Sequence, residues 1–129
     1  MLLNTFFDIV EITENQQEGA PAASSDSYTI HIKVYAGHPI FKGHFPGNPV
    51  VPGACQIRMI TEIISAIKGR EMRLLEADNL KFLSMINPNE HPQLTVDCLL
   101  KENEDGSFKV TASISDKEHV FFKYKSLVA

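Results

Sequence analysis

His44 lies in a stiff segment, "GHFPGNPVVPG", which runs from residue 43 to residue 53. Pro46, Pro49 and Pro52 each fix a backbone φ angle, and the three glycines permit conformations or close approaches that a side chain would block. Rigid loops attached to a scaffold are where proteins commonly hold reactive groups. The segment therefore predicts an imidazole that is held in one place.

The sequence that follows, "GACQIRMITEIISAIKGR", predicts a helix that begins at Gly53 and ends near Gly69. Pro52 suits the first helical turn because it lacks an N–H group that would be unpaired there. The N–H of Gly53 should be a free donor at the positive end of the helix dipole, where it would stabilise a carbonyl oxygen that gains negative charge. His44 as a general base could then remove a proton α to that carbonyl or activate a water, and the spacing does not choose between them.

The apolar residues of this helix cover more than one stripe, so we expect the rest of the protein to wrap it. Arg58 and Glu62 interrupt the apolar pattern at i, i+4 spacing, at which an ion pair between them is one interpretation. A metal is not expected, because no second histidine, cysteine or carboxylate falls at ligand spacing within the loop of His44. No other cofactor is implied.

Composition limits the classes of protein further. The chain has 129 residues, 43% of them hydrophobic, which fits a single domain over residues 1–129. Its net charge of −4 argues against nucleic acid or an anionic membrane as the main partner. Cys55 and Cys98, in a chain without a cationic apolar leader, indicate buried thiols and a reducing, cytoplasmic setting. The longest apolar helical stretch falls short of the ~20 residues of a membrane span, so we expect a soluble protein.

The remaining elements are predicted strands. They cover residues 2–13, 28–37, 71–86 with a bend near Asp78, and then residues 93–102, 107–115 and 119–128, the last four in hairpin order. His31 falls on the polar face of its strand and is expected at the surface. Together these elements predict an α+β fold whose antiparallel sheet wraps one long helix. Such a sheet leaves an edge and apolar surface open, so pairing with a second copy is expected.

The run from His44 to Gly53 resembles the signature of the hotdog-fold 3-hydroxyacyl-(acyl carrier protein) dehydratases. That pattern is H-F-P-G-x-P, then Ile or Val, then Met, Leu or Val, then P-G, and it leads into the central helix. Each fixed position is filled here, by His44, Phe45, Pro46, Gly47, Pro49, Val50, Pro52 and Gly53. The resemblance implies a hotdog fold and dehydration of acyl-carrier-bound 3-hydroxyacyl thioesters to trans-2-enoyl thioesters, in fatty acid or polyene-type lipid biosynthesis.

By the same resemblance His44 is the catalytic base, the Gly53 N–H binds the thioester carbonyl, and the Val50 carbonyl orients the imidazole. Phe45 and Arg58 complete the predicted substrate-binding set. The partner is an acyl carrier protein. The working unit is a homodimer or a larger assembly of dimers, in which the histidine of one subunit acts with an acid from the helix of the other.

The chain departs from the family pattern at Arg58, which stands where the dehydratases have a Glu or Asp. Arginine cannot act as a general acid near neutral pH. Three interpretations follow: Arg58 simply pairs with Glu62 and activity is weak or altered, Glu62 supplies the proton, or a related subunit of a heterodimer supplies it. The stretch "PGACQIR" is similar to dehydratase-like proteins of aryl polyene pathways, which favours the heterodimer. The rival functions are a hotdog acyl thioesterase and a non-catalytic subunit that binds the acyl carrier.

Overall fold

The structure is a computed structural model that describes residues 1–15, 25–43, 49–117 and 119–129. Six strands form one antiparallel sheet in the order β1-β2-β4-β5-β6-β3. The strands are β1 (Phe7–Asn15), β2 (Ser25–Val34), β3 (Leu74–Phe82), β4 (Gln93–Glu102), β5 (Phe108–Asp116) and β6 (His119–Val128). The helices are α1 (Ile40–Gly43) and α2 (Gly53–Lys68). This arrangement confirms the predicted α+β class and the antiparallel sheet around one long helix.

Strand β2 shows why the alternating pattern predicted the sheet well. Ile30, Ile32 and Val34 are buried against the core, whereas His31 and Lys33 point to solvent. Successive side chains of a strand face opposite sides of the sheet, so a sheet that is covered on one face buries alternate residues. The surface position predicted for His31 is confirmed.

Strand β3 does not occupy its predicted place in the sheet. Hairpin order would pair β3 with β4, but β3 pairs with β6, and Leu80 lies opposite Tyr124. The chain after β3 turns away from the sheet, because Ile86 is buried and its carbonyl accepts a hydrogen bond from the Val51 N–H at 2.9 Å. Strand β4 then joins β2 instead. The predicted bend near Asp78 is confirmed as a register shift between Ala77 and Asn79.

Helix α2 begins and ends close to its predicted bounds. Pro52 precedes the helix in an extended conformation, with φ −60° and ψ 147°, instead of lying in the first turn as predicted. Its carbonyl accepts the Gln56 N–H at 3.1 Å and so starts the helical hydrogen bonding. At the other end Gly69 adopts a left-handed conformation with φ 68°, and its N–H donates to the Ser65 carbonyl. Glycine suits that position because it has no Cβ to clash there.

The sheet wraps α2 as predicted, but in the described part of this chain one stripe of the helix stays exposed. Met59, Ile60, Ile63 and Ile64 are fully buried, but Ala54, Arg58 and Ala66 are exposed along one stripe of the helix. These three positions are four and eight residues apart, so they fall on one side of a helix with 3.6 residues per turn. A six-stranded sheet that curves around one side leaves that stripe open.

Helix α1 lies within a segment for which the sequence predicted only a loop. Its single turn carries Phe41, whose ring packs on that of Phe6 with centroids 5.4 Å apart. The packing anchors the chain just before the segment that contains His44. Within the described ranges, neither helix has the length and apolarity that a membrane span needs.

Candidate functional site

The predicted base, His44, and the predicted contact residue Phe45 lie outside the described residues, as do residues 46–48. Their roles therefore stay predictions. The described structure ends at Gly43, where α1 ends, and resumes at Pro49, three residues before the N-cap of α2. The described residues of the site form the helix end towards which this loop leads.

The backbone just before α2 is fixed on two sides. Val51 is 1% exposed, its N–H donates to the Ile86 carbonyl at 2.9 Å, and its carbonyl accepts from Gln56 Nε2 at 3.2 Å. Val50 beside it is half-buried. Because both polar groups of Val51 are paired, the start of the helix is held in a defined position relative to the sheet.

Gly53 lies under an aromatic side chain of β3. A Cβ atom at Gly53 would stand only 2.8 Å from Cζ of Phe82, closer than real Cβ atoms approach other groups. The ring of Phe82 stacks on Phe122, with centroids 4.5 Å apart and an interplanar angle of 13°. A side chain at Gly53 would therefore have to push the Phe82 ring aside, which is a packing reason for glycine in addition to any role of its N–H group. Sequence reasoning did not find Phe82, since 29 residues separate it from Gly53.

Gln56 adds an unpaired acceptor at the same end of the helix. The side chain is 3% exposed, and while Nε2 donates to Val51, Oε1 has no hydrogen-bond partner among the described residues. Buried polar atoms without partners are rare in folded proteins, so this oxygen is available to a donor. In the sequence Gln56 stood out only as part of the stretch "PGACQIR".

Cys55, in the first turn of α2, is a poor candidate nucleophile. Burial raises the pKa of its thiol, and the positive charge of Arg58 only partly opposes this effect. The thiolate is the reactive form of cysteine, so a raised pKa leaves the group protonated at neutral pH. Both cysteines are free and buried, as the sequence predicted.

The predicted pair of Arg58 and Glu62 is confirmed. Nε of Arg58 lies 3.2 Å from Oε2 of Glu62, with the two side chains 60% and 13% exposed. Glu62 also accepts backbone N–H groups from the start of the chain: the N–H of Leu2 lies 2.9 Å from Oε1 and 3.0 Å from Oε2, and that of Leu3 lies 2.9 Å from Oε1. The carboxylate therefore fastens residues 2 and 3 to the helix, a role that the sequence did not reveal.

The site thus offers the first N–H groups of α2, which have no partner among the described residues, together with a buried amide oxygen and an apolar wall made of Phe82 and Phe122. Such a surface can bind a carbonyl oxygen at the helix end and an apolar chain beside the rings. Within the described ranges, no group of three or more His, Cys, Asp or Glu side chains is placed to hold a metal ion.

Comparison with known proteins gives the class. The family model ApeI-like, described as ApeI dehydratase, matches residues 20–123. The chain therefore belongs to the ApeI-like dehydratase family. Among curated relatives, the 3-hydroxyacyl-(acyl-carrier-protein) dehydratase FabZ of Caulobacter vibrioides is 26% identical over 104 residues, which cover 74% of this chain and 65% of that relative. The match thus spans just under two thirds of the relative's length.

Solved structures agree on the fold. The dehydratase heterocomplex ApeI:P from Xenorhabdus doucetiae matches with a TM-score of 0.61 and 18% identity, over 93% of this chain and 99% of that chain. An uncharacterised protein from Erwinia carotovora subsp. atroseptica matches with a TM-score of 0.64 and 18% identity, over 94% of both chains. The predicted hotdog fold and the resemblance to hydroxyacyl dehydratases are confirmed.

Proposed function

We propose that this protein dehydrates 3-hydroxyacyl thioesters of an acyl carrier protein to trans-2-enoyl thioesters. Its membership of a dehydratase family supports this class of reaction in general. The single observation that carries the proposal here is the start of α2, where Gly53 is packed under Phe82 directly after the loop of His44. That arrangement offers a fixed N–H donor to a thioester carbonyl and an apolar wall to the acyl chain.

In the proposed reaction His44 takes the proton from C2 of the substrate. The electron pair of the broken C–H bond forms the C2–C3 double bond, and the hydroxyl group on C3 leaves with a proton as water. While the charge passes through the thioester carbonyl, the Gly53 N–H stabilises its oxygen. The Val50 carbonyl orients the imidazole, and Phe45 and Arg58 contact the substrate.

The leaving hydroxyl group needs an acid. Glu62 stays a prediction for this role, but its carboxylate accepts three N–H groups, from Leu2, Leu3 and Arg58, which supports a structural role instead. We therefore favour an acid that a related subunit supplies. The likeness in fold to the ApeI:P heterocomplex supports this choice, since that dehydratase is itself a complex.

The edge of the sheet supports a dimer. Among the described strands β3 pairs only with β6, and it carries apolar residues that are solvent-exposed in the single chain. Those on β3 and directly after it are 39–73% exposed: Leu74, Leu75, Leu80, Phe82, Leu83 and Met85. An unpaired edge with a large apolar surface is a typical place for a second subunit.

An assay with a 3-hydroxyacyl thioester on an acyl carrier protein tests the proposal. We expect enoyl product when the chain is mixed with a related subunit that has an acidic residue at the position of Arg58, and a loss of more than ~100-fold with His44→Ala. Equal rates for the wild type and His44→Ala would contradict the role of His44. Release of free thiol would identify a thioesterase instead.

A gain of activity in Arg58→Glu alone would show that the missing acid is what limits the single chain. If the mixture with the related subunit is inactive for the wild type as well as for His44→Ala, and the acyl carrier protein still binds, the chain is a non-catalytic subunit.

A further inference from the structure

Five of the nine lysines of the chain lie on the outer face of the four neighbouring strands β4, β5, β6 and β3. They are Lys81 on β3, Lys123 and Lys125 on β6, Lys109 on β5 and Lys101 on β4, and all five are exposed. We call this surface the lysine face. Their strand neighbours, such as Phe122 and Tyr124, point inwards and are buried, so the face is the solvent side of the same four strands that form the core.

The positions of these lysines do not favour the stability of the sheet. Lys81 lies directly opposite Lys123, and Lys101 lies directly opposite Lys109. Like charges in facing positions of neighbouring strands are destabilising. Among the described residues, none of the five has a carboxylate within 4.0 Å. Because the fold gains nothing from this arrangement, an interaction outside the chain is the better explanation.

The face keeps a positive charge although the chain has a net charge of −4. Asp97 and Glu76 lie in the same rows, and Asp78 lies in the neighbouring bulge, so three carboxylates stand against five ammonium groups. Asp97 also accepts a hydrogen bond from the Thr29 hydroxyl at 3.2 Å. A positive surface on an acidic protein directs negatively charged partners to one place.

The dimensions of the face indicate the kind of partner. A groove of about 410 Å³ runs over it, and its lining includes Lys81, Lys123 and Lys125 together with the polar side chains of Asn79, Thr111 and Ser113. From Lys81 to Lys101 the lysines span four adjacent strands, which is roughly 14 Å at the usual strand spacing. A single phosphate is too small to contact that width. A protein helix, about 10–12 Å in diameter with its side chains, matches it.

The lysine face also borders the candidate site. Phe82 is the last residue of β3, and it points towards Gly53 on the inner side while its neighbour Lys81 points outwards. A partner bound to the face would therefore lie beside the end of β3, close to the start of α2. This position suits a protein that delivers a substrate on a flexible arm.

We propose that the lysine face docks an acidic surface of the carrier protein that presents the thioester. This inference rests on the proposed function for the identity of the partner. The positions of the five lysines, their charge and the lack of a carboxylate near them among the described residues do not depend on that function.

The test compares two doubly substituted proteins with the same change of charge. Lys123→Glu/Lys125→Glu alters the lysine face, and Lys33→Glu/Lys117→Glu alters two exposed lysines elsewhere on the surface. Each protein, in the active assembly, is assayed with a 3-hydroxyacyl group on an acyl carrier protein and with the same acyl group on a small carrier-free thiol. Thermal unfolding checks that both variants fold, and Lys123→Gln/Lys125→Gln replaces the first variant if it does not.

We expect kcat/KM for the carrier-bound substrate to fall at least ~10-fold in the lysine-face variant and less than ~2-fold in the control. The carrier-free substrate should be used equally by all three proteins. For the wild type, the rate with the carrier-bound substrate should also fall steeply with added salt. Equal losses in the two variants, or no loss in either, would overturn the docking site.

A different set of results is expected if the proposed function itself is wrong. If no protein uses either substrate, the function is wrong, and binding of the fluorescently labelled acyl carrier protein decides the docking site alone. Binding that weakens only in the lysine-face variant then supports the site. Equal binding to all three proteins, or no binding at all, contradicts it.

Discussion

At the scale of single residues, Glu62 shows how a carboxylate can lie within an otherwise apolar helix. A charge with little exposure is costly unless donors surround it. Glu62 is only 13% exposed and receives the N–H groups of Leu2 and Leu3 as well as Arg58 Nε. The backbone donors lie in the less accessible part of this cluster, whereas the Arg58 side chain is 60% exposed. The main effect of Glu62 is therefore to hold the start of the chain.

Glu62→Gln should lower the free energy of unfolding by about 1.5–3 kcal/mol, because an amide loses the charge-assisted bonds and offers only one oxygen. Arg58→Ala should cost less than ~1 kcal/mol, because an exposed ion pair contributes little. Urea unfolding measures both. If Arg58→Ala is the more harmful change, the ion pair and not the backbone contact is what matters.

Activity separates the structural role of Glu62 from a catalytic one. On our proposal, Glu62→Gln keeps most of the turnover per folded molecule in the active assembly. A loss of turnover in a protein that remains fully folded would support Glu62 as the acid instead.

Gly53 gives a second prediction at this scale. Gly53→Ala places a Cβ 2.8 Å from the Phe82 ring, so the ring must move off Phe122. We expect a net loss of about 1–2 kcal/mol, since crowding outweighs the gain in helix propensity. Phe82→Leu should remove most of this loss, and a double-mutant cycle of unfolding free energies measures the coupling. Strict additivity would show that the two residues do not interact.

At the scale of elements, the sequence predicted what short-range patterns determine. Strands β4 and β6 match their predicted bounds because one buried face produces an alternation over a few residues. The partner of β3 was not predictable in this way, since it depends on the burial of Ile86 against the start of α2. The same holds for the contacts of Glu62 with Leu2 and of Phe82 with Gly53, which join residues distant in the chain.

Strand β4 carries a buried thiol with a consequence for stability at high pH. Burial, with a contribution from Asp97, raises the pKa of Cys98 from 9.0 to about 12. The unfolded chain releases this proton first, so the thiol favours the folded state below pH 9 and this contribution is lost as the pH rises towards 12. At pH 10 the loss should be about 1.4 kcal/mol.

Unfolding free energies between pH 8 and pH 10 check this prediction, and Cys98→Ala is the reference because Cys55 and the tyrosines also ionise in the unfolded chain over this range. Between pH 8 and pH 10 the unfolding free energy of Cys98→Ala should fall by about 1.4 kcal/mol less than that of the wild type. This difference does not depend on what the substitution does to stability at pH 8. The same slope in both proteins would contradict the burial effect.

At the scale of the whole molecule, the sheet has two unlike surfaces at one end. The outer surface there is the lysine face, and the edge beside it is the apolar strand β3. A second subunit along β3 would cover Leu83 and Met85 and leave the ammonium groups accessible. The molecule can then use the edge for assembly and the outer face for a partner.

Leu83→Lys/Met85→Lys should weaken the dimer, because these side chains are 54% and 73% exposed in the single chain and a charge there resists burial. We expect the dissociation constant to rise at least ~10-fold in analytical ultracentrifugation. Val10→Lys, at a residue 64% exposed on β1 at the opposite edge, is the control. Equal dissociation constants for all three proteins would contradict assembly through β3.

The absorption and emission of the tyrosines can report on changes in the structure of this protein. The chain has three tyrosines and no tryptophan, so tyrosine dominates its near-ultraviolet absorption and emission. Tyr124 is 2% exposed on the inner side of β6, directly behind the lysine face, whereas the Tyr35 hydroxyl donates a hydrogen bond to the Asp8 carboxylate near the opposite edge. Loosening of the core and fraying of the β1 edge should consequently give separate spectral signals, without any attached dye.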